Sequence, residues 1–256
     1  MSKTCRTTVT ALCVAFAWGC GGSTSSSSGS TDPTDSTSAD AATALQSLST
    51  KAIYFGHRSV GSNIMDGVEA LVAATSGAVP QVVETSDPAA MQRGVFAHSG
   101  NGNNGDPASK TAAFATAITG GVGDRVDIAF FKFCYVDFDG STDVEGVFAD
   151  YQSQMAALKS AYPSVRFVHF TVPLTTGSSS DNAVREQFSE LVRQTYAGTE
   201  PVFDLAKMEA TRPDGTAETV NGVRALVTAY SSDGGHLNAT GAEVVSKALA
   251  AYLASL

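Results

Sequence analysis

Short apolar runs alternate along this chain with stretches in which apolar residues recur every three or four positions. Five runs predict strands: 52–56, 81–84, 126–133, 166–172 and 201–204. They are rich in Val, Ile and Phe and often continuous, the pattern of strands covered on both faces. After the first strand, GHRSVGSN turns into a helical pattern. Val144, Val147, Phe148, Tyr151, Met155 and Leu158 keep helical spacing, with Thr142 and Glu145 as a predicted capping box and Pro163 beyond the end. A second helix is predicted over 182–196, with Val184, Phe188, Leu191 and Val192 on one face. A third spans 242–256, with Val245, Ala248, Leu249, Tyr252 and Leu253 inward and Thr240 and Glu243 as its capping box. Strand–helix alternation with no long all-β portion implies an α/β fold, a central parallel sheet between two helix layers. Ligands bind such sheets beyond the carboxyl ends of the strands. The loops there read GHRSVG, HSGNGNNGDP, KFCYVDFDG, PLTTGSSSD and SSDGGHLN.

Composition divides the chain into three parts. Residues 1–20 start with Lys3 and Arg6 and carry the apolar core TALCVAFAW, a secretory signal too short to span a membrane. AWGC, ending at Cys20, resembles a bacterial lipobox, with Ala17 where leucine is usual. The resemblance implies lipidation of Cys20, and an ordinary signal peptide cut nearby is the alternative. Residues 21–40 are Gly/Ser/Thr-rich and too polar to bury a core, so they are expected to form a flexible tether. Residues 41–256 suit one α/β domain. The expected location is the cell envelope of a Gram-negative bacterium. Gly21 after the cysteine, by its resemblance to enterobacterial sorting rules, points to the outer membrane, with the lipid as the one membrane contact. Cys5 and Cys13 leave with the signal, so Cys134 stands alone and no disulfide framework is expected. Loss of Lys3 and Arg6 moves the formal charge from −9, by two, to −11. Such acidity without a basic patch argues against nucleic acid and anionic lipid surfaces.

The candidate chemistry starts in the last loop. Asp233 and His236 stand three apart in a Gly-rich turn. That spacing can put a carboxylate on one imidazole nitrogen and leave the other as a base. A serine hydroxyl needs such a base, being a poor nucleophile alone. Ser59 stands at the corner after the first strand, where it can be a nucleophile or a helix cap. Asp-x-x-His alone is common by chance and can equally be a polar loop capping a helix.

In order and position, Ser59 after the first strand and Asp233-x-x-His236-Leu-Asn before the last helix resemble the SGNH (GDSL-type) hydrolase superfamily. The resemblance covers about residues 50 to 256. It implies a flavodoxin-like three-layer α/β/α sandwich, with Ser59 as nucleophile, His236 as general base and acid, and Asp233 as orienting carboxylate. It also implies ester substrates, small or polysaccharide-borne, and no metal cofactor. The chain departs from the family in two blocks. GHRS replaces Gly-Asp-Ser, putting His57 or Arg58 where a small acidic residue is usual. FFKFCYVDF has neither the glycine nor the asparagine of Gly-x-Asn-Asp, and that asparagine donates to the oxyanion. Losing one such donor costs about 2.7–4 kcal/mol of barrier, so an active enzyme needs a replacement. HSGNGNNGDP supplies candidates in the N–H groups of Gly102 or Gly105 and the amides of Asn101, Asn103 or Asn104; Gly102 and Asn104 are the preferred pair, beside the Ser59 N–H. The loop is also readable as a plain Asn/Gly turn.

Lys132, Tyr135 and Asp137 end the central strand and either contact substrate or balance one another in a buried ion pair. Arg58 either binds an anionic substrate group or holds its own loop. Cys134 reads as a core thiol and His169 as a satisfied core histidine, while His98 is open between core and site. Two further function classes remain. Convergence of His57, His98, Asp137, Asp233 and His236 would make a metal-dependent hydrolase, although no compact ligand motif is present. The altered blocks would also suit a non-catalytic module binding glycan or protein.

Overall fold

The run AIYFGH is buried at all of its positions, which a strand achieves only when both faces are covered. It is β1 (Ala52–His57) in the computed structural model, which describes Met1, residues 38–177 and residues 179–256. The chain divides into two units, Met1–Thr31 and Asp32–Leu256, and the fold described below belongs to the second. The expected signal at 1–20, Cys20 and residues 21–37 of the tether lie outside the described residues, Met1 excepted. Among the described residues, no helix is long and apolar enough to cross a membrane.

After α1 (Ser38–Leu48) and β1 come α2 (Val60–Ala74), β2 (Gln81–Glu84), β3 (Val95–Gly100), α3 (Pro107–Ala117), β4 (Ile128–Phe131), α4 (Val144–Ala161), β5 (Arg166–Phe170), α5 (Ser179–Tyr196), β6 (Val202–Phe203) and α6 (Leu205–Ala210). A two-residue ribbon, β7 (Thr219–Val220) and β8 (Val223–Arg224), precedes the closing α7 (Ala239–Ala254). The six long-sheet strands pair in parallel in the order β2-β3-β1-β4-β5-β6. Strand alternation sorts the core into two layers. Ile53, Phe55, Phe96, Phe130 and Phe170 pack with Ile64, Val68, Val245 and Leu249 of α2 and α7. Ala52, Tyr54, Ala97, Phe131 and Phe167 pack with Phe114, Tyr151, Met155 and Phe188 of α3, α4 and α5. The expected three-layer α/β/α sandwich is therefore the fold.

Two expected caps are corrected. Asp143, not Thr142, caps α4: its carboxylate accepts the Gly146 N–H at 3.0 Å, while the Thr142 hydroxyl accepts from Asp139 N–H. Asn238, not Thr240, caps α7, accepting from Gly241 N–H and donating to Ala229 O at 2.9 Å.

The order of strands positions the site. The chain crosses over β1 between β3 and β4, so the sheet switches direction at the carboxyl end of β1. Ser59 is two residues beyond that end.

Candidate active site

Ser59 closes the corner between β1 and α2 with φ 57° and ψ −117°. Positive φ is rare for a residue with a Cβ and costs on the order of 1–3 kcal/mol, a cost typical of functional corners. Its hydroxyl makes no cap bond to α2. It lies 2.6 Å from His236 Nε2 instead. His236 Nδ1 lies 2.7 Å from Asp233 Oδ2. The other oxygen, Asp233 Oδ1, accepts the backbone N–H of His236 at 2.8 Å and of Gly235 at 2.9 Å. These donors, the Gly235 N–H foremost, hold the Asp233 carboxyl well below the usual carboxylate range. Asp233 is thus an anion whose position follows its own turn.

The rest of the turn closes on itself. The Ser231 hydroxyl donates to His236 O at 2.6 Å and accepts from Gly234 N–H. Gly234 takes φ 90°, open to glycine. Gly235 is a glycine for a different reason: a Cβ there would stand 2.7–2.9 Å from the ring and hydroxyl of Tyr135. The Gly234 carbonyl accepts from Thr176 N–H at 2.9 Å, which ties this turn to the loop after β5.

Tyr135 stands beyond the carboxyl end of β4, in a one-turn 3₁₀ helix, Tyr135–Asp137. Its ring meets His236 edge-on, centroids 5.7 Å apart. Burial above all raises its phenol, so it stays protonated through neutral pH. Arg185 of α5 fixes it twice: Nε donates to the Tyr135 carbonyl at 2.9 Å, and the guanidinium lies 5.6 Å from the ring centroid. Arg185 in turn donates to Asn182 and Thr175.

Lys132 and Asp137, read as contacting substrate or balancing one another in a buried pair, are both buried, and so is His57. His57 shares a 2.9 Å hydrogen bond with His98. Burial first, then His98, lowers its pKa to about 3 from the ordinary 6.5. Lys132 donates to Phe133 O at 3.1 Å and to Cys134 Sγ at 3.5 Å, and burial lowers its pKa. Asp137 pairs not with Lys132 but with Lys110 of α3, at 2.6 Å, both side chains wholly inaccessible. Asp137 also accepts the N–H groups of Cys134 at 2.6 Å and Gly105 at 2.7 Å. Cys134 is buried, and its thiol donates to Arg58 O at 3.3 Å.

Arg58 is exposed, with Nε donating to Gly102 O at 2.9 Å. The preferred oxyanion donors have these placements: Gly102 offers its carbonyl to Arg58, and Asn104 accepts from Lys110 Nζ at 3.0 Å. Asn101 Nδ2 donates to Lys110 O at 3.1 Å. The Ser59 N–H meets no acceptor among the described residues. His169 is the expected core histidine, bonded to Tyr151 at 2.6 Å and Glu200 at 2.9 Å. The five residues weighed as metal ligands do not gather: His57 joins His98, Asp137 joins Lys110, and His236 joins Asp233 and Ser59. Among the described residues, no three His, Cys, Asp or Glu side chains form a group able to hold an ion.

Lys110 and Arg185 escaped the sequence reading, although each left a signal. Lys110 is four residues before Phe114, and Arg185 three before Phe188, each on the buried stripe of its helix. A cation at that phase has to find a partner inside.

Glu209 on α6 lies wholly buried behind the site. Its Oε2 accepts from Leu174 N–H at 2.8 Å, while Oε1 has no partner. Burial pushes its pKa up to about 8 from 4.5. An acid raised on folding stabilises fully below its unfolded pKa and loses that contribution as pH rises to the folded one. His57, lowered on folding, contributes above pH 6.5 and loses its share as pH falls toward 3. Their opposing slopes cancel between about pH 4.5 and 6.5. Above that range Glu209 acts alone and should cost roughly 2 kcal/mol of stability between about pH 6.5 and 8.5. Urea melts at the two pH values check this: Glu209→Gln should flatten the alkaline fall, and an unchanged slope would refute it.

No family model matches the chain, and no curated protein matches it at a significant level. Solved structures do. A Streptococcus pneumonia protein provisionally described as a platelet activating factor superposes with a TM-score of 0.52 at 14% identity, over 84% of this chain and 92% of its own. A Bacteroides fragilis protein provisionally described as an acylhydrolase gives a TM-score of 0.50 at 13% identity, over 78% and 84%. At these identities the likeness is one of fold. That fold is the three-layer α/β/α sandwich that the alternation of strands and helices predicts.

Proposed function

We propose that this protein is a serine hydrolase of carboxylic esters, acting through Ser59, His236 and Asp233. The observation that carries the reading is the continuous 2.6 Å and 2.7 Å chain from Ser59 Oγ through His236 to Asp233. It joins groups 177 residues apart in sequence, at the switch point of the sheet. The description of a similar fold as an acylhydrolase agrees with it.

In this mechanism Ser59 Oγ attacks the ester carbonyl and its proton passes to His236 Nε2. Asp233 keeps the Nδ1–H tautomer in place and stabilises the imidazolium. The Ser59 N–H receives part of the charge on the carbonyl oxygen. Collapse breaks the bond to the alcohol, and His236 returns the proton to the leaving alkoxide. Water activated by His236 then cleaves the acyl-enzyme. Arg58, exposed one residue before the nucleophile, suits an anionic group on the substrate. Export and tethering, as expected of residues 1–40, would favour acetyl esters on cell-envelope or extracellular polysaccharide.

The test is hydrolysis of p-nitrophenyl acetate, butyrate and octanoate, with acetate release from acetylated polysaccharide. Turnover that is fastest with acetyl esters and survives chelation is expected. Glycan binding with no ester turned over would replace this reading by that of a binding module.

A further inference from the structure

We propose that Tyr135 is a catalytic residue of the site, its hydroxyl donating to the oxyanion formed when Ser59 attacks an ester carbonyl. The inference rests on the esterase reading and supplies the donor that the sequence lacks where the superfamily has asparagine. In the step concerned, Ser59 Oγ bonds to the carbonyl carbon, the Oγ proton goes to His236, and the carbonyl π pair moves to oxygen. That oxygen receives the Ser59 N–H and the Tyr135 O–H. Both bonds strengthen as charge develops, which is what lowers a barrier.

Three observations support the assignment. The Tyr135 ring stands edge-on to His236 and its hydroxyl lies against Gly235 of the same turn, so the donor is beside the base. The residue is held in advance: Arg185 grips its carbonyl and lies near its ring, and the bare Cα of Gly235 leaves room for the phenol. A donor fixed beforehand spends little on reorganisation in the transition state. Three donors of the Asn/Gly loop are meanwhile spent on internal partners. Asn101 Nδ2 goes to Lys110 O, Asn103 N–H to Ser109 Oγ at 2.9 Å, and Gly105 N–H to Asp137. A raised phenol pKa adds that the proton to be donated is present at working pH.

The experiment compares wild type with Tyr135→Phe, which keeps the ring and removes the oxygen. kcat should fall about 10²–10³-fold with KM within about threefold, the loss typical of one oxyanion donor. Affinity for a trifluoromethyl ketone, which forms a tetrahedral adduct on the serine, should fall by a similar factor. Final labelling of Ser59 by a fluorophosphonate should still reach one per chain, showing an intact fold. A kcat within threefold of wild type overturns the proposal. So does a loss explained by incomplete labelling, or one that leaves ketone affinity unchanged, since either marks a structural role. A wild-type chain that neither labels nor hydrolyses esters removes the esterase reading, and this inference with it; the two failures are thereby distinct.

Discussion

Ser59→Ala should reduce ester hydrolysis by at least about 10⁴-fold while leaving the fold intact. The hydroxyl makes no cap bond, so its removal takes away the nucleophile and little else. His236→Ala should cost about as much, because the hydroxyl is inert without a base at 2.6 Å. The double variant should be no worse than either single one, since residues acting as a unit do not add. Ser59→Gly separates chemistry from strain. It should be equally inactive but more stable than Ser59→Ala by about 1 kcal/mol, because glycine adopts φ 57° without steric cost. Steady-state kinetics and urea melts of the four variants check both halves. Full activity in Ser59→Ala, or a double variant far below both singles, would contradict the unit.

The largest stability effect should come from Asp137→Ala. It would strand the Lys110 ammonium in the interior and leave the Cys134 and Gly105 N–H groups without their acceptor. Breaking one side of a buried pair costs about 3–5 kcal/mol, a large part of the 5–15 kcal/mol that typically holds a domain. Replacing both partners, as in Lys110→Met with Asp137→Leu, should recover more than half of the loss, because the stranded charge is gone. Asp137 also joins the loops after β3 and β4, so the single variant should lose activity at temperatures where the native chain is stable. A loss under about 1 kcal/mol in urea melts would show that the pair is not the tie described here.

Much of this arrangement was legible in the sequence because it depends on local pattern. Continuous Val/Ile/Phe runs marked five of the six sheet strands, since a strand buried on both faces can tolerate little else. β3 lacks that pattern: VFAHSG becomes polar after three apolar residues, and its His98 turns inward to His57. α3 is hidden in the sequence because its buried stripe begins with Lys110, whose charge is matched by a residue 27 positions on. Asn221-Gly222 is a turn signature that the ribbon of β7 and β8 uses, with both residues at positive φ. At the site, Asp233 and His236 could be read because three residues and a glycine turn settle their geometry. Ser59 could be read from its corner. Which of His57, Lys132, Tyr135 and Asp137 face substrate could not, because strand-end loops choose their direction through contacts far away in sequence. Tyr135 faces the cleft because Arg185 and Gly235 put it there. Asp137, two residues on, faces inward to Lys110.

The central claim is that Ser59 is the activated nucleophile. The most direct measurement is the intact mass of the protein after a fluorophosphonate, with the modified residue mapped by peptide sequencing. One label per chain on Ser59, lost in His236→Ala and matched by loss of ester hydrolysis, is the predicted result. Ester hydrolysis that persists with Ser59 unmodified, or a label mapped to another residue, would contradict it.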